Sequence, residues 1–73
     1  MNNDKFQPIP NRSEIIPDVE TFRFVEAERS YYLQGIIRLP DGAEINAIIR
    51  YKCFYEDDGE IFRPIEYIRR EIA

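Results

Sequence analysis

Seventy-three residues make a single domain, close to the lower limit at which a hydrophobic core holds a chain folded unaided. The content is 44% hydrophobic and 14% aromatic with a net charge of −4, which argues against disorder of the whole chain and against a global attraction to polyanions. One cysteine and no histidine leave no disulfide framework, no cysteine zinc site and no histidine base.

No apolar run approaches the ~18 residues of a membrane span, and Met1-Asn2-Asn3-Asp4 lacks the pattern of a secretory signal. The expected location is cytoplasmic. Residues 1–18 carry Pro8, Pro10 and Pro17 among polar residues, punctuated by Phe6, Ile9, Ile15 and Ile16. Proline removes backbone donors and biases its predecessor toward extended geometry, so this segment is expected to be an extended arm. Three placements are open to it: across the domain, at a sheet edge, or free until a partner arrives. Residues 19–73 are expected to form the domain proper.

From Val19 onward the composition turns β-branched and aromatic. Thr21-Phe22-Arg23-Phe24-Val25 predicts a first strand with Phe22 and Phe24 on one face, and Glu26-Ala27-Glu28-Arg29-Ser30 a polar connection. A second strand from Tyr31 to Leu39 runs into Pro40-Asp41-Gly42. Proline presets the first corner of a type I turn, and glycine takes the left-handed position that closes a three-residue hairpin loop with a bulge.

Counting back from that loop sets Arg38 opposite Glu44, Ile37 opposite Ile45, Gly35 opposite Ala47, Leu33 opposite Ile49 and Tyr31 opposite Tyr51. The apolar pairs share one face and the Arg38–Glu44 ion pair takes the other. A slip of one residue would scramble both faces.

A third strand, Glu44 to Tyr55, is long enough to bend and serve two sheets. The predicted fold is therefore mainly β: a small antiparallel, SH3-like or OB-like, partly open barrel of four to five strands. Asp57-Asp58-Gly59 predicts a second turn and Glu60-Ile61-Phe62-Arg63 a fourth strand. Beyond Pro64, the spacing of Ile65, Ile68 and Ile72 suits a short closing helix or 3₁₀ turn. A last strand through Tyr67-Ile68-Arg69 is the rival.

Catalysis finds little support. Cys53 shares the parity of Tyr51 and Tyr55 on the proposed core face, where a structural thiol is the ordinary occupant. The carboxylates lie in turns or opposite arginines. Glu56, Asp57, Asp58 and Glu60 crowd four carboxylates around one turn, without the ligand spacing of a calcium loop; a charged, solvated turn explains them, and docking on a basic partner is the functional alternative. Neither a metal nor a cofactor is expected, and no enzymatic activity.

Two binding surfaces remain. Tyr32, Arg38, Arg50 and Lys52 share the outward face of the hairpin, an arrangement that in OB-like barrels stacks single-stranded bases. Ordinary arginines lying over apolar surface are the competing explanation. On the same face Ile36 and Ile48 lie near Tyr32 and Phe54, where a monomer would carry polar side chains. The arm, a second copy or another protein must cover them. The expected function is a non-catalytic protein-interaction module acting by occlusion or scaffolding. An accessory subunit fits, as does a small inhibitor of the kind phages and mobile elements encode. The partner is another protein, or the chain itself as a homodimer. The alternative is a single-stranded nucleic-acid-binding barrel.

Overall fold

The computed structural model describes residues 5–71. Five strands, β1 (Gln7–Pro8), β2 (Glu14–Val25), β3 (Ser30–Arg38), β4 (Glu44–Glu56) and β5 (Gly59–Arg69), form one open antiparallel sheet in the order β1-β5-β4-β3-β2. The only helical turn among the described residues is a 3₁₀ turn at Glu26–Glu28, inside the polar connection. It ends at Arg29, whose left-handed φ of 52° turns the chain back into β3.

The central hairpin has the register that its loop dictates. Tyr31 pairs with Tyr51, Leu33 with Ile49, Gly35 with Ala47, Ile37 with Ile45 and Arg38 with Glu44. The loop is closed by Leu39 N–H to the Ala43 carbonyl (2.8 Å) and Gly42 N–H to the Leu39 carbonyl (2.9 Å). The Asp41 carboxylate accepts from Ala43 N–H (2.9 Å), and Gly42 sits at φ 94°. Period-two alternation then sends Leu33, Ile37, Ile45, Ala47 and Ile49 to one face, where all five are buried.

The proline-punctuated segment supplies both sheet edges. Gln7 and Pro8 pair with Tyr67 and Glu66 on the outer side of β5. Glu14 to Asp18 pair with Arg38 to Gln34 as the first part of β2, so this strand runs on through the expected boundary after Asp18. Pro8 and Pro17 explain why the prolines did not prevent this. They lie in β1 and β2, the two edge strands of the sheet, where a proline is tolerated. Ile9 and Ile15 pack onto the core from the two edge segments, as do Leu39, Tyr51 and Tyr67.

The short helix expected after Pro64 is not formed: residues 64–69 continue β5, as the rival reading had it. Ile65 is the extra residue of a bulge between the Tyr51–Pro64 and Arg50–Glu66 pairs. A bulge resets the alternation, so Ile65 and Ile68 acquire a spacing of three inside a strand and imitate a helix. Ile72 lies outside the described residues.

The sheet curls around the core face. At Gly35 a Cβ would come within 2.7 Å of the Ile16 carbonyl oxygen, so β2 crosses there at a distance only glycine permits. Beyond Asp18 the β2 register slips, resuming at Arg23–Tyr32, and Phe22 is carried over the core face. Its ring meets that of Phe62, three strands away in the sheet, with centroids 6.4 Å apart.

Candidate functional site

Most of the second face, where the sequence placed its candidate surfaces, is occupied by the chain's own contacts. Ile36 lies beside Ile16, its partner in β2, and both Ile36 and Ile48 are half-buried. Ile16 is thus a neighbour in the sheet and not a lid over it, while Ile15 faces the core. Phe6 does reach across: its ring packs 6.0 Å from that of Tyr32. Phe54 is open to solvent beneath the Arg63 guanidinium, 6.0 Å from the ring centre.

Two arginines of this face are engaged. Arg38 bridges Glu14 (3.2 Å) and Glu44 (3.0 Å), tying β2 to the central hairpin. Arg50 donates through Nε to Glu66 (2.8 Å) and through Nη1 to Ser30 Oγ (3.0 Å), in a half-buried network. Ser30, fully buried, in turn donates to the Glu28 carbonyl (3.1 Å). The Tyr32 hydroxyl donates to the Glu28 carboxylate; burial, then that carboxylate, raises its pKa above the usual 10.0. Of the four residues of the stacking platform, Lys52 alone is exposed with no carboxylate partner among the described residues.

The acidic turn is exposed throughout. Glu56 pairs with Arg63 across it (2.8 Å), and Gly59 at φ 116° completes the reversal. Glu60 points to the core face, where its carboxylate lies 3.7 Å from Cys53 Sγ. Desolvation first, then the Glu60 charge, pushes the Cys53 thiol above its usual 9.0. A raised thiol pKa leaves little thiolate at neutral pH.

A cluster of exposed aromatic side chains lies elsewhere, on the core face toward the β4–β5 turn. Phe22 stacks on Tyr31 (centroids 5.3 Å, 17° between planes), and Phe24 tilts onto the same ring at 4.8 Å. Phe62 meets Tyr31 edge to face at 4.9 Å. These are favoured geometries for aromatic pairs. Yet Phe22, Phe24 and Phe62 remain 49, 48 and 45% exposed, and neighbouring Tyr55 81%. Glu26, Arg29 and Lys52 join Phe24, Tyr31, Cys53 and Tyr55 around a shallow cleft at this end.

This cluster was within reach of the sequence. Phe22 and Phe24 share a parity, Tyr31, Tyr51, Cys53 and Tyr55 share the core-face parity of the hairpin, and counting across Asp57-Asp58 sets Phe62 opposite Cys53. Parity shows which face a side chain takes; it does not show that the aliphatic half of the face is covered while the aromatic half is bare. No protein-family model, no curated protein and no solved structure matches this chain.

Proposed function

We propose that this is a non-catalytic protein-interaction module that acts by occlusion or scaffolding, as an accessory subunit or as a small inhibitor of the phage or mobile-element kind. The observation that carries the reading is the half-exposed aromatic cluster of Phe22, Phe24, Tyr31 and Phe62 with Tyr55 beside it. At roughly 200 Å² for a whole Phe or Tyr side chain, these exposures leave about 450 Å² of aromatic surface open. Patches of that size on small proteins are commonly binding sites. Aromatic residues are also the side chains most enriched among those that dominate protein interfaces.

The curl that brings Phe22 to Phe62 is consistent with the partly open SH3-like or OB-like barrel expected from the long third strand. Such a barrel would present the cluster at its open end. A cytoplasmic site of action belongs to the same proposal.

Single-stranded nucleic acid is the second reading, because exposed rings beside Lys52 and Arg29 also suit base stacking. The pairing of Arg38 and Arg50 with carboxylates weighs against it. Retention on an immobilised single-stranded oligonucleotide separates the two. Protein recognition predicts negligible retention at every salt concentration from about 50 to 200 mM, whereas phosphate contacts give retention that falls steeply over that range.

A further inference from the structure

We infer that the occupant of the aromatic cluster is a second copy of this chain, packed two-fold across it; the inference rests on the protein-interaction reading and names the partner. The first argument is the missing layer. A sheet that buries one face normally packs it against a second layer of structure. Here the cover is partial: edge segments bring Ile9 and Ile15 over the aliphatic end, and nothing described lies over Phe22, Phe24, Tyr55 and Phe62. A second copy supplies the layer and extends the existing core without a break, because Tyr31 and Tyr51 link the two halves of the face.

The second argument is self-complementarity. A two-fold interface sets each patch against itself, so its groups must be able to pair with their own kind. Aromatic rings do this by offset and edge-to-face stacking. The charged rim does it as well, because it is mixed. Glu26 and Glu60 flank the cluster together with Arg29 and Lys52, and the two cations have no carboxylate partner among the described residues. Across a two-fold axis, the cations of one copy can face the carboxylates of the other. A uniformly basic partner would instead leave Arg29 and Lys52 opposed by like charge.

The area sets the strength. Two patches of about 450 Å² bury roughly 900 Å² of aromatic surface, below the ~1,200 Å² at which stable interfaces begin and in the range of weak, transient ones. The expected dimer is therefore reversible, with a dissociation constant in the micromolar range.

Sedimentation equilibrium over a concentration series tests this, on the wild type and on Tyr55→Glu and Phe62→Ser. Tyr55 is so exposed that its replacement leaves the fold intact, which circular dichroism and the melting temperature of the variant check. Wild type should be dimeric at about 100 µM and dissociate at low micromolar concentration. Tyr55→Glu should raise the dissociation constant at least tenfold in a folded protein. Mixed labelled and unlabelled copies should give intermolecular NOEs between Phe22, Phe24 and Phe62 ring protons.

A wild type that stays monomeric at millimolar concentration would overturn the inference. So would a dimer indifferent to Tyr55→Glu and Phe62→Ser. A monomer that binds a different purified protein, and loses it on Tyr55→Glu, would sink the second copy while keeping the interaction reading. A cluster whose variants change no association of any kind would sink both.

Discussion

Phe22 and Phe62 meet with centroids 6.4 Å apart and planes 82° apart, although β3 and β4 lie between their strands in the sheet. That contact requires the sheet to curl, and the curl has two identifiable causes. β2 crosses close over Gly35, and its register then slips between Asp18 and Arg23.

Two glycine substitutions should fail for different reasons. Gly42→Val has open space around it but must hold φ near 94°, so backbone strain alone should destabilise the hairpin by about 1–3 kcal/mol. Gly35→Ala has no such φ and meets the Ile16 carbonyl oxygen at 2.7 Å, so β2 must move. Denaturant melts should show both losses, and only Gly35→Ala should also disturb the Phe22 and Phe62 ring resonances.

Alkaline pH should weaken the fold. Tyr32 and Tyr51 have pKa values raised above the usual 10.0, Tyr32 by burial and then by Glu28, Tyr51 by burial. A raised phenol is stabilised as its neutral form in the folded chain, so this contribution is complete below the unfolded value. It is lost as pH climbs through the folded one. Melting temperatures should hold steady up to about pH 9 and decline above 10, and Tyr32→Phe should make the decline shallower. A stability that rises between pH 9 and 11 would contradict the assignment.

Cys53→Ala should fold and keep every binding activity, at the cost of some packing. With its pKa raised, the wild-type thiol should react slowly with a maleimide at pH 7 and faster as pH rises. Loss of binding in a folded Cys53→Ala protein would restore a chemical role to the thiol.

On the second face, Ile48→Glu should lower stability, because Ile48 is half-buried on the face that carries the Arg50 network. Arg50→Ala should cost about 1–3 kcal/mol by stranding Glu66 and Ser30. Neither change should alter association of the folded protein. A fully stable Ile48→Glu variant that loses a partner would move the interaction surface to this face.

The parts legible in the sequence were those governed by local chemistry. The Pro40-Asp41-Gly42 loop specified five cross-strand pairs, because loop type and two-residue alternation act on neighbours. The turn at Asp57-Asp58-Gly59 was legible for the same reason. The rest depended on events with no local signature. The Ile65 bulge changed the phase of β5 and made a strand look helical. Pro17 reads as a strand breaker until the edge position of β2 is known. For Phe22, Phe24, Tyr31 and Phe62 the shared face was legible from parity, but the contact of Phe22 with Phe62 came from a curl at the close approach of β2 to Gly35, which no spacing records.

In the proposed function this chain places the aromatic end of its core face against another protein. A photo-reactive benzoylphenylalanine introduced in place of Tyr55, irradiated in living cells that express the protein at its natural level, tests it most directly. The expected product is a discrete protein adduct, either the doubled chain or a single larger species, that disappears when Phe62→Ser is combined with the label. Irradiation that yields only unlinked monomer, or adducts only to nucleic acid, would contradict it.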